Sequence, residues 1–438
     1  MLELSRKKTH ASGWAARTLV YDGSSERRAT FRERGYGAVI ALSLCVALAC
    51  GEPTSAPMIG TAEAGAPLTS ASPAGGATKF WDAGASIGWN KIARDYVSGL
   101  TVKPNQQANL RAFSYLSLAQ YDAVLAAEDA KAHGLRPSPQ AAVAGASAVV
   151  LSYVFPAGAA GFESAVRAQA EGPRWPGEAK DDFAVGERIG RAIGAAVVAS
   201  AMADRFNAVW TGSVPAGPGL WVGTAPLLPL LGQMRPFFMT SGDQFRPPPP
   251  PAFGSQEFTT ALAEVRRLSD TRTAEQLAIA QYWAGTTGSL VAGFWNAQAS
   301  DLVLRYRLDE RRAAHALALS NMAAMDANIA CHDAKYTYWL IRPWQADAAI
   351  TTPIGRPNHP SYPSNHACVS GAIAYTLGAT FPEERNRLAA MADQAGESRL
   401  YAGIHYRFDK DAGLRIARQV ADLALTLDVM GRKPFAVQ

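Results

Sequence analysis

The sequence predicts a single, mainly α-helical domain, and three observations support this fold class. Downstream of residue 105, apolar residues recur with a period of about 3.6 residues, the spacing that gives a helix one buried face. Alternating strand patterns with hairpin turns are scarce. The chain has 438 residues, of which 48% are hydrophobic and 18% charged. This composition can bury a large core and is not typical of a disordered protein.

The first fifty residues are predicted to be an export signal. Residues 1–34 hold eight Lys and Arg against four acidic residues, and an apolar run follows from Tyr36 to Ala49. That run is short for a transmembrane helix and typical of a secretory signal. Cys50 follows Leu48-Ala49, as in a bacterial lipobox, although plain secretion and a retained anchor stay open as alternatives. We therefore expect an exported protein, periplasmic or on the outer surface, with a lipid anchor at Cys50.

Residues 51–79 are predicted to be a flexible linker, because 23 of the 29 are Ala, Gly, Pro, Ser or Thr. The folded domain is expected to extend from residue 80 to residue 438. The net charge of the whole chain is +5, and the leader carries four of these charges. No Lys/Arg-rich stripe remains that would suit a nucleic acid, so we expect no such partner.

The predicted helices follow in order along this domain. They cover residues 106–129, 138–154, 178–207, 256–270, 273–285, 309–341, 364–380, 384–400 and 410–430. Residues 215–251 interrupt this pattern, because they contain ten of the 27 prolines. Proline lacks an amide donor and breaks helices, so this segment is predicted to be an irregular, ordered excursion or lid.

A first chemical motif joins Lys335 and Arg342-Pro343. Seven residues are close to two helical turns, so both cations are predicted to share one helix face, with the helix ending at Pro343. The residues between them are mostly aromatic or aliphatic. We expect a buried helix whose cations need a buried anion, rather than two solvated surface charges.

A second motif is His359-Pro-Ser-Tyr-Pro363-Ser364-Asn365-His366, which precedes a helical run. A Pro/Ser/Asn cluster of this kind indicates a helix N-terminus. Ser364 could be an ordinary helix cap. Free amides at a helix start also bind anions, and Ser364 and His366 would then line an oxyanion pocket.

A third motif is Ser398-Arg399, followed by His405 and Asp409. If this stretch is helical, Asp409 can hold one ring nitrogen of His405 and make the other more nucleophilic. Arg399 adds a planar guanidinium group, whose several N–H donors can bind an oxyanion. Together the three motifs describe one site for a small, multiply charged oxyanion.

The pattern Lys-x6-Arg-Pro, Pro-Ser-Asn-His, Ser-Arg-x5-His-x3-Asp resembles one superfamily. This superfamily contains the type 2 phosphatidic acid phosphatases (PAP2), bacterial class A acid phosphatases and vanadium-dependent haloperoxidases. The motifs lie in this order between residues 335 and 409. A weaker likeness to bacterial haloperoxidase-type members includes Gln281-Tyr-Trp283 and Phe294-Trp295-Asn296. The resemblance implies a helical bundle with one oxyanion pocket.

The resemblance also implies a role for each residue. Lys335, Arg342 and Arg399 would neutralise the oxygens of vanadate or phosphate, and Ser364 and the amide of Asn365 would donate hydrogen bonds. His405, oriented by Asp409, would bind vanadium or act as the phosphatase nucleophile, and His366 would be the general acid/base. Asn365 stands where the family has Gly. Its amide is either a further donor or an obstruction in the pocket.

The motifs are compatible with two reactions. We favour a vanadate-dependent haloperoxidase that uses peroxide and halide, because the chain is long, has a large N-terminal helical half and lacks sets of long apolar spans. The alternative is a phosphomonoesterase that acts on a phosphate ester through a phosphohistidine and needs no cofactor. Less favoured are a non-catalytic surface lipoprotein and a metal-dependent phosphohydrolase built on His332-Asp333. Cys331 and Cys368 could pair after export or remain buried thiols.

Overall fold

The computed structural model describes residues 84–172, 179–285 and 290–428, and these ranges confirm the predicted all-α fold class. The predicted signal, the linker and the start of the domain at residue 80 lie outside the described residues. Thirteen α-helices occur in the described ranges. They are α1 Ala85–Gly99, α2 Gln106–Ala132, α3 Pro139–Val154, α4 Ala159–Glu171, α5 Lys180–Met202, α6 Gln256–Asp270, α7 Ala274–Gly285, α8 Leu290–Arg305, α9 Glu310–Tyr338, α10 Pro343–Ala346, α11 Asn365–Thr380, α12 Arg385–Tyr401 and α13 Arg407–Leu427.

All nine predicted helices are present, with ends shifted by a few residues, and four further helices were not predicted: α1, α4, α8 and α10. In α8, ten of the sixteen residues are buried, including Phe294, Trp295 and Asn296. A smaller share of residues is buried in α8 than in the predicted helices α9 and α11, so burial alone does not explain why α8 was missed.

The long helix α9 lies at the centre of the bundle, where it packs against α2, α11 and α13. Twenty-two of its 29 residues are buried. Many of them are alanines, which let neighbouring helices approach closely. Its N-terminal residue Glu310 accepts hydrogen bonds from the backbone N–H groups of Gly84, Ala85 and Ser86, at 2.8–2.9 Å, and so fixes the start of α1.

The proline-rich segment between α5 and α6 is an irregular strap that lies against the C-terminal half of α9, in agreement with the predicted excursion. The carboxylate of Asp326 accepts hydrogen bonds from the amides of Phe237, Phe238 and Met239, at 2.7–2.9 Å. The amide of Trp221 donates to the carbonyl of Trp339, at 2.6 Å. Among the helices in the described ranges, none is both long and apolar enough to cross a membrane.

Candidate active site

The three sequence motifs meet where the ends of four helices converge. Lys335 lies in the last turn of α9 and Ser364 is the N-cap residue of α11. Arg399 lies in the last turn of α12, and Asp409 lies in the first turn of α13. The structure therefore brings the predicted site residues together from four different elements.

His405 and Asp409 are in contact, but not as neighbours on one helix. The helix α13 begins at Arg407, so His405 lies in the turn before it, and the condition that both residues lie on one helix is not met. His405 Nδ1 nevertheless lies 2.7 Å from Oδ2 of Asp409. The same carboxylate oxygen accepts a hydrogen bond from Ser361 Oγ at 2.6 Å and from the amide of Tyr406 at 3.1 Å. Asp409 thus fixes both the turn and the imidazole.

His405 is held as a neutral imidazole whose Nε2 carries no proton. Burial, together with the charges of Arg342 and Lys335, keeps the pKa of His405 well below its usual value. A neutral ring that donates from Nδ1 to Asp409 has no proton on Nε2. Nη1 of Arg342 lies 3.0 Å from Nε2 and can only donate to it, which agrees with this tautomer.

Arg342 does not share a helix face with Lys335, because α9 ends at Tyr338 and Trp339 adopts a left-handed conformation with φ of 49°. The predicted helix through residue 341 was wrong here, and Pro343 begins the short helix α10 rather than ending α9. Arg342 is nevertheless fully buried. Its guanidinium donates to the carbonyls of His359, at 3.0 Å, and Ile404, at 2.7 Å. Burial lowers the pKa of Arg342 to about 10, so it is a cation at neutral pH.

The ammonium group of Lys335 is surrounded by backbone carbonyls of the segment that precedes α11. Nζ lies 3.0 Å from the oxygen of Pro360 and 2.8 Å from that of Ser361, and it also donates to Pro363. Lys335 therefore holds the 360–363 segment in place and contributes positive charge from behind it. Burial lowers the pKa of Lys335 to about 8.

Arg399 is buried and its bonds are to neutral groups: Nε donates to Ser398 Oγ at 2.9 Å, and Nη2 donates to the carbonyl of Ala280 at 3.0 Å. Burial lowers the pKa of Arg399 to about 9. The site thus contains three buried cations, Lys335, Arg342 and Arg399, and one buried carboxylate, Asp409. This excess of positive charge is what a doubly or triply charged oxyanion requires.

The start of α11 presents polar atoms that have no partner within the described structure. Ser364 Oγ and Asn365 Oδ1 are both buried without a hydrogen bond. The side chain of Ser364 therefore does not cap its helix, which leaves the hydroxyl and the first amides of α11 available to an anion. Asn365 itself is the first residue of the helix, so this position does not need the left-handed conformation that favours glycine.

His366 lies in the same first turn, and its Nε2 is 3.1 Å from the carbonyl oxygen of Trp283. Only a protonated Nε2 can donate to a carbonyl, so Nδ1 carries the lone pair when the ring is neutral. Burial and the charge of Arg399 keep the pKa of His366 well below its usual value. A neutral imidazole of this kind can accept a proton.

A cavity of about 290 Å³ gives access to this cluster. Asn365, His366, Arg399 and His405 line it, while Lys335, Arg342 and Ser364 are fully buried. Sequence reasoning missed several residues around the site, above all Ser361, His359 and the carbonyl groups of α7. His359 and Ser361 lie inside the second motif, so their proximity to the site was available from the sequence. The contribution of α7 comes from tertiary packing.

The other candidates from the sequence lie apart from this cluster or have ordinary packing roles. Asp333 forms a bidentate pair with Arg246, at 2.6 and 2.8 Å, while His332 Nδ1 lies 3.0 Å from the carbonyl of Asn328. The two side chains thus have separate partners. Cys331 and Cys368 are both buried free thiols in this structure.

Comparison with known proteins places the chain in a family. Residues 314–429 match the family described as the PAP2 superfamily. The chain is also 30% identical to the non-specific acid phosphatase of Providencia stuartii over 179 residues, which are 39% of this chain and 68% of that protein. The chain belongs to the PAP2 superfamily. This membership confirms the resemblance carried by the three motifs and makes the protein an enzyme of that superfamily.

The fold of this PAP2 member is also similar to those of solved vanadium-dependent peroxidases. A bacterial vanadium-dependent iodoperoxidase matches with a TM-score of 0.66 and 22% identity, over 78% of this chain and 95% of that one. A bacterial vanadium-dependent chloroperoxidase matches with a TM-score of 0.63 and 14% identity, over 78% and 97%. At these identities the likeness concerns the fold alone.

Proposed function

We propose that this enzyme binds vanadate at the cluster of Lys335, Arg342 and Arg399 and oxidises halide with hydrogen peroxide. The observation that carries the proposal is the unprotonated Nε2 of His405, which lies beside buried cations with one carboxylate among them. A ligand nitrogen and an excess of positive charge are what a tetrahedral metal oxyanion needs. The structural likeness to a vanadium-dependent iodoperoxidase covers 78% of the chain, whereas the match to the acid phosphatase covers 39%, and this wider likeness supports the proposal.

The residues present fit vanadate. Ser364 Oγ is a buried hydroxyl without a partner, and Arg399 is a buried cation bonded to neutral groups. These two groups and the amide of Asn365 would donate to the oxyanion, and His405 Nε2 would be its nitrogen ligand. Lys335 would add charge, since its three protons are directed to carbonyls. When bound, vanadate supplies Lewis-acid activation of peroxide.

The protein's own groups would manage protons and charge. His366, a neutral imidazole on the cavity wall, would accept a proton from the incoming substrate at Nδ1. Asp409 keeps the proton of His405 on Nδ1, so that Nε2 would be available as a ligand. Arg399 would remain a cation and stabilise negative charge that develops at the oxyanion.

A second candidate is phosphomonoester hydrolysis, which is favoured by the 30% identity to an acid phosphatase. In this reaction Nε2 of His405 would attack phosphorus and form a phosphohistidine, while the alcohol leaves. His366, once protonated at Nδ1, would give that proton to the leaving oxygen and then take one from the water that hydrolyses the phosphohistidine. The same cations would neutralise the transferred phosphoryl group.

One experiment separates the two. The purified full chain is assayed for iodide and bromide oxidation with vanadate and peroxide, and in parallel for hydrolysis of p-nitrophenyl phosphate without vanadate. We expect vanadate-dependent halide oxidation that is lost in His405→Ala. Halide oxidation absent at saturating vanadate, with ester hydrolysis that His405→Ala abolishes, would establish the phosphatase instead. If a folded protein shows neither activity, both candidates are wrong.

We also propose that the mature enzyme is exported and anchored by lipid at Cys50, as the N-terminal sequence indicates. In a bacterial host, the full chain should then fractionate with membranes, and Cys50→Ala should move it to the soluble fraction. Identical fractionation of the two proteins would disprove the anchor.

A further inference from the structure

The cavity that leads to the oxyanion site contains a second arginine, Arg356. Its charged lining residues are Arg399 and Arg356, and its other titratable lining residues are three histidines. No Asp or Glu from the described parts of the chain lines it. A positively charged cavity without acidic groups favours anionic ligands.

Arg356 is exposed at the cavity and is held by contacts that leave its charge unpaired. Its Nε donates to Thr352 Oγ1 at 3.1 Å, and its guanidinium carbon lies 5.9 Å from the ring centroid of Trp344. Within the described residues it has no carboxylate partner. No carboxylate neutralises its charge there, so the guanidinium can bind an anionic ligand.

The loop that carries Arg356 is fixed to the proline-rich strap. Asn358 Nδ2 donates to the carbonyls of Thr224 and Ala225, at 3.1 and 2.7 Å, and the Asn358 carbonyl accepts from the amide of Leu227, at 2.9 Å. Leu227 itself lines the cavity. These bonds fix the loop beside the cavity before any ligand arrives, which lowers the entropy cost of binding.

Two further features of the cavity suit a small anion. Asn105, Gln106 and Gln107 line it, so the N-terminal end of the 27-residue helix α2, with its positive dipole, lies at its wall. The volume of about 290 Å³ is at the lower end of the range for small-molecule sites, about 300–1,000 Å³. The ligand is therefore compact.

We propose that Arg356 forms a second anion subsite, which binds a carboxylate or phosphate group on the organic substrate while the oxyanion occupies the Arg399 site. The substrate class is then a compact molecule with an anionic group of its own: the leaving group of a phosphate ester, or the organic acceptor of oxidised halogen. This inference rests on the oxyanion site proposed above.

Binding of phosphonates tests the subsite without catalysis. Phosphonocarboxylates with one, two and three methylenes between the two anions are compared by calorimetry with alkylphosphonates of the same chain length. In the wild-type full chain, at least one phosphonocarboxylate should bind about tenfold more tightly than its alkylphosphonate, as expected for one charge-assisted contact. In Arg356→Gln this ratio should fall to about one, and in Arg356→Lys it should be intermediate.

Arg267→Gln is the matched control, because Arg267 is an exposed arginine on α6 outside the cavity. It should keep the wild-type ratio and so exclude a general effect of lost charge. Equal affinities in the wild type, or a ratio unchanged by Arg356→Gln, would overturn the subsite and leave the oxyanion site standing. Failure of every phosphonate to bind would overturn the oxyanion site and this inference with it.

Discussion

Nη1 of Arg342 lies 3.0 Å from Nε2 of His405, so a guanidinium proton points at the lone pair that the chemistry needs. The same Nη1 donates to the carbonyl of Ile404, at 2.7 Å, which ties the guanidinium to the turn that carries His405. The arginine and the histidine are thus fixed to one backbone segment. An oxyanion bonded to Nε2 would therefore lie next to the Arg342 cation.

Asp409→Asn tests whether the carboxylate sets the tautomer of His405. An amide can donate to Nδ1 as well as accept from it, so the proton of His405 can move to Nε2 and remove the lone pair. We expect kcat of the enzyme to fall by about 10²- to 10⁴-fold, as for other His–Asp pairs. The ¹⁵N shifts of the imidazole, which do not depend on activity, should show protonated Nε2.

Ser361→Ala is the control for this change, because it removes a neutral hydrogen bond to the same oxygen, Oδ2 of Asp409. It should lower activity by no more than about tenfold and leave the tautomer unchanged. An Asp409→Asn enzyme with nearly normal kcat would show that the carboxylate only supports the fold.

Lys335 should make oxyanion binding sensitive to pH. Because burial lowers the pKa of Lys335 to about 8, the ammonium is charged below this pH and loses its charge above it. Sulfate stays a dianion throughout, so its affinity should be constant between pH 6.5 and 7.5 and fall by up to about tenfold as the pH rises past 8. Calorimetry across this range measures the effect.

In Lys335→Met, sulfate should bind more weakly at pH 6.5, and its affinity should no longer change around pH 8. Lys91→Met is the matched control, since Lys91 is exposed and pairs with Asp95 on α1. It should keep the wild-type profile. The same pH dependence in wild type and Lys335→Met would assign the titration to another group.

Most helices of the fold were predictable from sequence, and their ends were less so. Helices α2, α9 and α11 were predicted near their observed positions, whereas α8 was not, although a smaller share of its residues is buried than in α9 or α11. The ends of α9 were harder still. Trp339 ends this helix in a left-handed conformation, so the helix stops before Arg342. Glycine is the usual sequence signal for such an end, and this position has none.

The site was predictable as a set of residues because the three motifs carry most of its charged groups. Its geometry was not, since Lys335 and Arg342 meet through the 359–363 segment rather than along a helix. Arg356 was missed for a related reason. A single arginine in a loop belongs to no recognisable sequence motif, and only the folded chain places it in the cavity.

Asn365 offers a test of the position where the family has glycine. Its side chain lines the cavity and its Nδ2 would donate to a bound oxyanion, while Oδ1 is buried without a hydrogen-bond partner within the described structure. Asn365→Ala should weaken sulfate binding about three- to tenfold, the worth of one hydrogen bond. Asn365→Gly should behave as Asn365→Ala does, because the position is helical. Tighter binding in either variant would show that the side chain obstructs the pocket.

Two glycines separate the effect of helix packing from that of the site. A Cβ atom added at Gly413 of α13 would lie 2.7 Å from the carbonyl oxygen of Ser364, and one added at Gly371 of α11 would lie 2.6 Å from Cβ of Ala417. Both positions belong to the contact between α11 and α13. Only Gly413 touches the backbone of a predicted oxyanion donor.

Gly413→Ala and Gly371→Ala should each destabilise the fold by about 1–3 kcal/mol, because the added methyl forces the two helices apart. For a domain of this size, such a loss lowers Tm by a few degrees. Only Gly413→Ala should also displace Ser364 and weaken sulfate binding, by about tenfold, since a displaced donor makes a longer and less well aligned hydrogen bond. Calorimetry and thermal unfolding on both variants measure the two effects. If Gly413→Ala binds sulfate as tightly as Gly371→Ala does, the start of α11 does not contribute to the oxyanion site.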